Sequence, residues 1–121
     1  MNAVFVYGLL KPGQRLHHVI ASFVEAGEPA RARGRLYDAG VPAARFDEDG
    51  VVEGHVFRID EARLDEALRV LDELEDEGIE YRRIVVAAEA DGETVDAFAY
   101  EYLLPLDGCP FVGPRWPDPA G

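Results

Sequence analysis

Cysteine is almost absent from this chain. Cys109 is the only one, so no internal disulfide can form, which fits a reducing compartment. Positive charge is also scarce. Twelve Lys and Arg face 24 Asp and Glu, a formal net charge of −12. Phosphate backbones repel such a surface, which argues against a nucleic-acid partner, and anionic membrane surfaces are disfavoured for the same reason. No apolar run approaches the length of a membrane span. Met1 to Tyr7 lacks the basic flank of a signal peptide, so the sequence reads as cytoplasmic. No internal repeat is present. The only compositionally biased stretch is the tail, where Pro105, Pro110, Pro114, Pro117 and Pro119 fall close together.

What remains is a chain of 121 residues, 48% hydrophobic, which fits one compact domain with a Pro-rich tail over about 104–121. Such a domain can bury a core without staples. Ala3 to Tyr7 reads as a strand, broken by the loop Gly8-Leu9-Leu10-Lys11-Pro12-Gly13. Leu16, Val19, Ile20, Phe23 and Val24 follow helical spacing, and Gly27 and Pro29 are expected to end that helix. Ala30 to Tyr37 reads as extended, with Arg31, Arg33 and Arg35 as a solvated strand face, and Val51 to Ile59 is a second extended stretch.

Asp60 is a suitable N-cap for a second helix, which carries Leu64, Ala67, Leu68, Leu71 and Leu74 on one face, with Gly78 as its stop. Tyr81 to Glu89 and Thr94 to Leu103 read as strands joined at Asp91-Gly92, a strong hairpin signal. Trp116, within the irregular tail, is expected to pack back onto the body. Strand and helix do not alternate steadily, so a doubly wound sheet is disfavoured. A mixed α+β fold with strands curled into a small β-barrel and flanking helices fits better.

One carboxylate stands out. At about 100° per residue, with Leu64 as reference, Leu68 lies at about 40°, Leu71 at about −20° and Glu75 at about 20°. Glu75 therefore falls inside the apolar stripe, whereas Asp65, Glu66, Asp72, Glu73, Asp76 and Glu77 project outside it. Two readings stand. The last turn frays and Glu75 is solvated, or Glu75 is held inward, where burial raises a carboxyl pKa towards the range of a general acid or base. A carboxylate at a helix C-terminus also opposes the helix dipole, a local rule broken without structural gain.

The loop after the first strand offers successive backbone N–H groups that can cradle a carboxylate, although most Gly-Pro loops are plain turns. The Gly-Lys-Ser/Thr ending of a phosphate loop is missing. Tyr100 and Tyr102 share one strand face with Phe98. A packed aromatic face is the simpler reading for Phe98 and Tyr100, and a phenol lining a pocket is the alternative. His17 and His18 point in different directions, and with His55 they form no metal-ligand spacing, so no metal is expected.

Together these segments resemble a known family. Val4-Phe5-Val6-Tyr7-Gly8-Leu9-Leu10-Lys11-Pro12-Gly13 is similar to the opening of γ-glutamylcyclotransferase-like proteins, which include small γ-glutamylamine cyclotransferase-like members. Leu71-Asp72-Glu73-Leu74-Glu75 and Tyr81-Arg82-Arg83 resemble that family's Leu-Asp-x-x-Glu and Tyr-x-Arg elements. Gly34-Arg35-Leu36-Tyr37, Val41-Pro42-Ala43 and Val52-Glu53-Gly54-His55-Val56-Phe57 resemble its middle segments. The match runs in order over roughly residues 3 to 103.

The resemblance implies a small mixed barrel and a cofactor-free reaction, in which the α-amine of a γ-glutamyl amine or short γ-glutamyl peptide attacks its own γ-carbonyl. The products are 5-oxoproline and a free amine. It implies Glu75 as general acid/base, and substrate binding by Tyr7, Gly8, Leu9, Leu10, Tyr81 and Tyr102. Two departures bear on this. Leu9 stands where the family usually has Ser or Thr, and Asp76 stands where a Gly often follows the Glu, which could let the helix run further. The alternatives are an inactive member that binds a small ligand or a protein, which Leu9 favours, and an amide hydrolase using the same Glu with water.

Overall fold

The computed structural model describes residues 1–119 of the chain. Five strands close a barrel in the order β1-β5-β2-β6-β7: β1 (Ala3–Val6), β2 (Val24–Arg33), β5 (Val51–Ile59), β6 (Tyr81–Ala90) and β7 (Glu93–Tyr102). The barrel is mixed, because β1 runs antiparallel to β5 but meets β7 in parallel, at Val4 and Phe98. A separate three-stranded sheet is ordered β4-β3-β8, from β3 (Arg35–Asp38), β4 (Pro42–Arg45) and β8 (Phe111–Gly113). Two short helices flank these sheets, α1 (His17–Ala21) and α2 (Leu64–Leu74).

All four residues of β1 are buried, which is why its sequence is continuously apolar rather than alternating. Ala3, Phe5 and Tyr7 join one core cluster together with Ala30, Ala32, Ala88, Ala97 and Ala99. These alanines leave room for Phe5, Tyr7 and Phe46, whose rings meet at 5.7 to 6.5 Å. Val4 and Val6 face the other way. They join Ile20, Ile59, Ala67, Leu68 and Leu71 in a second cluster beneath α2.

The hairpin at Asp91-Gly92 forms as its residues dictate, both with positive φ, and pairs Ala90 with Glu93. Trp116 packs against the first core cluster. Asp60 caps a single 3-10 turn, Glu61–Arg63, that leads into α2, its carboxylate accepting the Ala62 N–H at 3.1 Å.

Two local expectations are corrected. The first helix is only one turn long. The chain is extended from Val24, and Gly27 and Pro29 lie inside β2, paired with Phe57 and His55 of β5. Pairing with β5 outweighs the helical spacing here. Gly27 is a site of close approach rather than a stop, since a Cβ there would lie 2.5 Å from the Phe57 ring. The arginine row is also split. Arg31 and Arg33 are solvated on β2, but the chain leaves the barrel at Gly34 and Arg35 belongs to the second sheet. There its guanidinium lies 4.1 Å from the Phe111 ring centre.

Candidate functional site

A cleft of about 150 Å³ opens where β1 ends. Tyr7, Gly8, Leu9 and Leu10 line one side, and Glu75, Glu80, Tyr81 and Tyr100 the other. The loop after β1 is a compact turn, held by Lys11 N–H to the Gly8 carbonyl (3.1 Å) and Leu16 N–H to the Leu9 carbonyl (3.0 Å). Among the described residues, no acceptor takes the N–H groups of Gly8, Leu9 or Leu10. These donors and the surrounding concavity could hold an anionic group.

Helix α2 delivers Glu75. The helix does not run further despite Asp76. Glu75 is its C-cap, Asp76 takes the left-handed conformation at φ 51°, and the Glu77 N–H returns to the Asp72 carbonyl at 2.9 Å. This is the Schellman geometry usually completed by glycine, made here by an aspartate, which tolerates that region better than most residues. The last turn is therefore locked, with the Glu75 N–H on the Leu71 carbonyl at 2.9 Å. The Glu75 side chain is half-buried in the cleft wall. Burial, reinforced by the neighbouring Glu80 carboxylate, pushes its pKa from 4.5 up to about 7.

The tyrosines are fixed by their hydroxyls. Tyr7 donates to the Tyr100 carbonyl at 2.7 Å, and Tyr81 to the Pro42 carbonyl at 2.5 Å. Burial raises the pKa of both, and proximity to Glu75 adds to it, so both phenols stay neutral. Tyr100 donates to Asp72 at 2.6 Å, and Asp72 also pairs with Arg83 at 2.9 Å.

Of the residues singled out from the sequence, Tyr7, Gly8, Leu9, Leu10, Glu75 and Tyr81 meet in this one cleft. Tyr102 does not line it. It stands behind Tyr81, edge to face at 5.3 Å. Tyr100, read from the sequence as packing, takes the lining position instead. The two share one strand face, so alternation cannot tell them apart. Sequence reasoning misses Glu80 and Asp72: Asp72 projects outside the apolar stripe of α2, and Glu80 lies beyond the end of that helix, in the turn before β6. His17 and His55 both pack against Phe57, their rings 5.6 and 6.1 Å from that of Phe57. Among the described residues, no group of three or more His, Cys, Asp or Glu side chains has the geometry of a metal site. None of the described helices is long and apolar enough to cross a membrane.

Comparison with known proteins agrees with this architecture. The family model described as gamma-glutamyl cyclotransferase, AIG2-like, matches residues 4–116. A gamma-glutamylcyclotransferase family protein of Citrobacter rodentium, ytfP, is 31% identical over 109 residues, covering 90% of this chain and 89% of its own. Its Escherichia coli K12 counterpart shows the same identity and coverage. The crystal structure of an AIG2-like protein from Mus musculus superposes with a TM-score of 0.73 at 25% identity, over 92% of this chain and 85% of that one. YkqA of Bacillus subtilis gives a TM-score of 0.68 at 32% identity over 84% of this chain, which spans only 35% of YkqA. By sequence and by fold, the chain belongs to the AIG2-like gamma-glutamyl cyclotransferase family.

Proposed function

We propose that this protein converts a γ-glutamyl amine or short γ-glutamyl peptide into 5-oxoproline and the free amine. The observation that carries this reading is the meeting of a carboxyl of pKa about 7 with unpaired backbone donors in one cleft. The substrate's α-carboxylate lies against the N–H groups of Gly8, Leu9 and Leu10. Its side chain folds so that the α-amine faces the γ-carbonyl, which supplies the proximity that an intramolecular attack needs. The amine nitrogen bonds to the carbonyl carbon, and ionised Glu75 accepts the proton that the nitrogen sheds. Collapse breaks the γ-amide C–N bond, and Glu75 returns the proton to the leaving nitrogen. No net proton, electron or water is consumed. Tyr7 and Tyr81 act as neutral walls, since their hydroxyls are spent on backbone carbonyls.

A second reading, a non-catalytic member that binds a small carboxylate, is favoured by Leu9, which supplies no side-chain hydroxyl to the loop. Release of 5-oxoproline from a panel of γ-glutamyl amines and dipeptides decides between them. Its appearance, and its loss in Glu75→Gln, supports the enzyme. Glutamate in its place identifies a hydrolase, and neither product leaves the binding reading.

A further inference from the structure

Among the described residues, the charged or polar side chains as buried as the core are Lys11 and Gln14, at 5% and 8% exposure, and both sit in the turn that carries Gly8 to Leu10. A buried ammonium is costly without partners. Lys11 Nζ donates to the Trp116 carbonyl at 3.1 Å, and Gln14 Nε2 donates to the Pro117 carbonyl at 2.9 Å. Two adjacent carbonyls of the tail thus each accept a hydrogen bond from one of the loop's two buried polar side chains, across more than a hundred residues of chain. The tail is itself anchored. The Glu53 N–H donates to the Pro114 carbonyl at 2.6 Å and Trp116 packs on the barrel's core cluster, while Arg115 pairs with Asp118 within the tail itself at 3.0 Å.

We propose that residues 114–118 form a strap that sets the position of the Gly8–Leu10 donors through Lys11 and Gln14, which makes these two positioning residues. The loop transmits the constraint because it is internally bonded. The Lys11 N–H reaches back to Gly8, and the Gln14 N–H holds the Lys11 carbonyl at 3.0 Å. Lys11 faces Arg115, Asp118 and Glu53 across the tail and β5, and burial with the Arg115 charge lowers its pKa. It is the chain's single lysine, in a protein with no shortage of arginine. An ammonium on a flexible stem can meet one carbonyl in a confined site, where the planar guanidinium brings five donors to satisfy.

The kinetic part of the test rests on the proposed cyclotransferase reading, and the exchange part does not. Lys11→Met and a chain ending at Gly113 are compared with wild type, with Lys11→Gln retaining a neutral donor as the rescue. Backbone amide exchange by NMR is read at Lys11, Gln14 and Leu16 in the loop and at Val86 and Ala97 in the barrel. In Lys11→Met and the shortened chain, loop exchange speeds up about tenfold or more while the barrel amides hold, and Lys11→Gln recovers part of the protection. With a γ-glutamyl dipeptide, KM rises about tenfold in Lys11→Met and kcat stays within about twofold. Unchanged loop exchange, equal loss of protection in the barrel, or a fall in kcat at constant KM overturns the strap. If the shortened chain does not fold, Lys11→Met alone decides. If wild type releases no 5-oxoproline, the functional reading falls and exchange alone decides the strap.

Discussion

A side chain on Gly8 would have to occupy the place of Pro42: its Cβ would lie 2.6 Å from the proline Cγ. Pro42 cannot readily retreat, because its carbonyl receives the Tyr81 hydroxyl. The turn after β1 and the start of β4 therefore meet backbone to ring at the floor of the cleft. Gly8→Ala is expected to push the loop outwards, at a cost of about 1–3 kcal/mol, the range for overpacking. Urea unfolding measures the cost. Calorimetry with 5-oxoproline, the proposed product, should show weakened binding. An unchanged midpoint would mean that the two segments separate freely.

Glu75→Gln preserves the size of the side chain and removes its proton exchange. Turnover is expected to fall by about a hundred- to ten-thousand-fold, with the fold retained. In wild type, kcat/KM should rise with pH through a limb near pH 7, as Glu75 ionises. Equal activity of the variant would rule out Glu75 as the acid/base.

The same carboxyl has a signature in stability. Its pKa is about 7 when folded against 4.5 as the unperturbed value. Between these values the folded state holds a proton that the unfolded state has lost, so stability falls as pH rises through that window. Glu75→Gln should therefore exceed wild type in stability by about 1–3 kcal/mol at pH 8, and the gain should vanish near pH 4. Denaturant titrations at the two pH values measure this. A gain that does not depend on pH would show that Glu75 is solvated.

Asp76 adopts φ 51°, a region that glycine enters without steric cost. Asp76→Gly should raise stability by up to about 1 kcal/mol, the relief being partly offset by the greater freedom of the unfolded chain. Thermal unfolding checks the sign. A loss would mean that the aspartate side chain itself supports the turn.

Leu9→Ser restores a hydroxyl to the loop while leaving the backbone donors in place. It should change KM or the preference among γ-glutamyl substrates by more than it changes kcat. A steady-state comparison over the substrate panel tests this, and a change confined to kcat would put the residue in the chemical step.

Features set by neighbours in the chain were legible in the sequence. The Asp91-Gly92 hairpin needs only two residues that accept positive φ between strands of matching parity. The inward direction of Glu75 follows from the angle between successive residues of α2. Whether that direction reached a cleft was settled elsewhere, by the Asp76 turn that ends the helix and by the Gly8–Leu10 loop opposite.

What the sequence by itself determined, then, is the set of short-range features: strand parity, the apolar stripe of α2, the hairpin, and the family motifs in their order. Tertiary structure decided the rest. It turned Val24 from the end of a helical pattern into the start of a strand that runs on through Gly27 and Pro29, because β5 offered a ladder of hydrogen bonds and Phe57 needed the space over Gly27. It brought Tyr100 rather than Tyr102 to the cleft, since parity assigns a face but not the height at which a distant loop crosses it. It buried Lys11 and Gln14, whose sequence context is that of an exposed turn, by returning a tail more than a hundred residues away to cover them. Periodicity is a property of neighbours, whereas barrel closure and loop contacts join residues far apart in the chain.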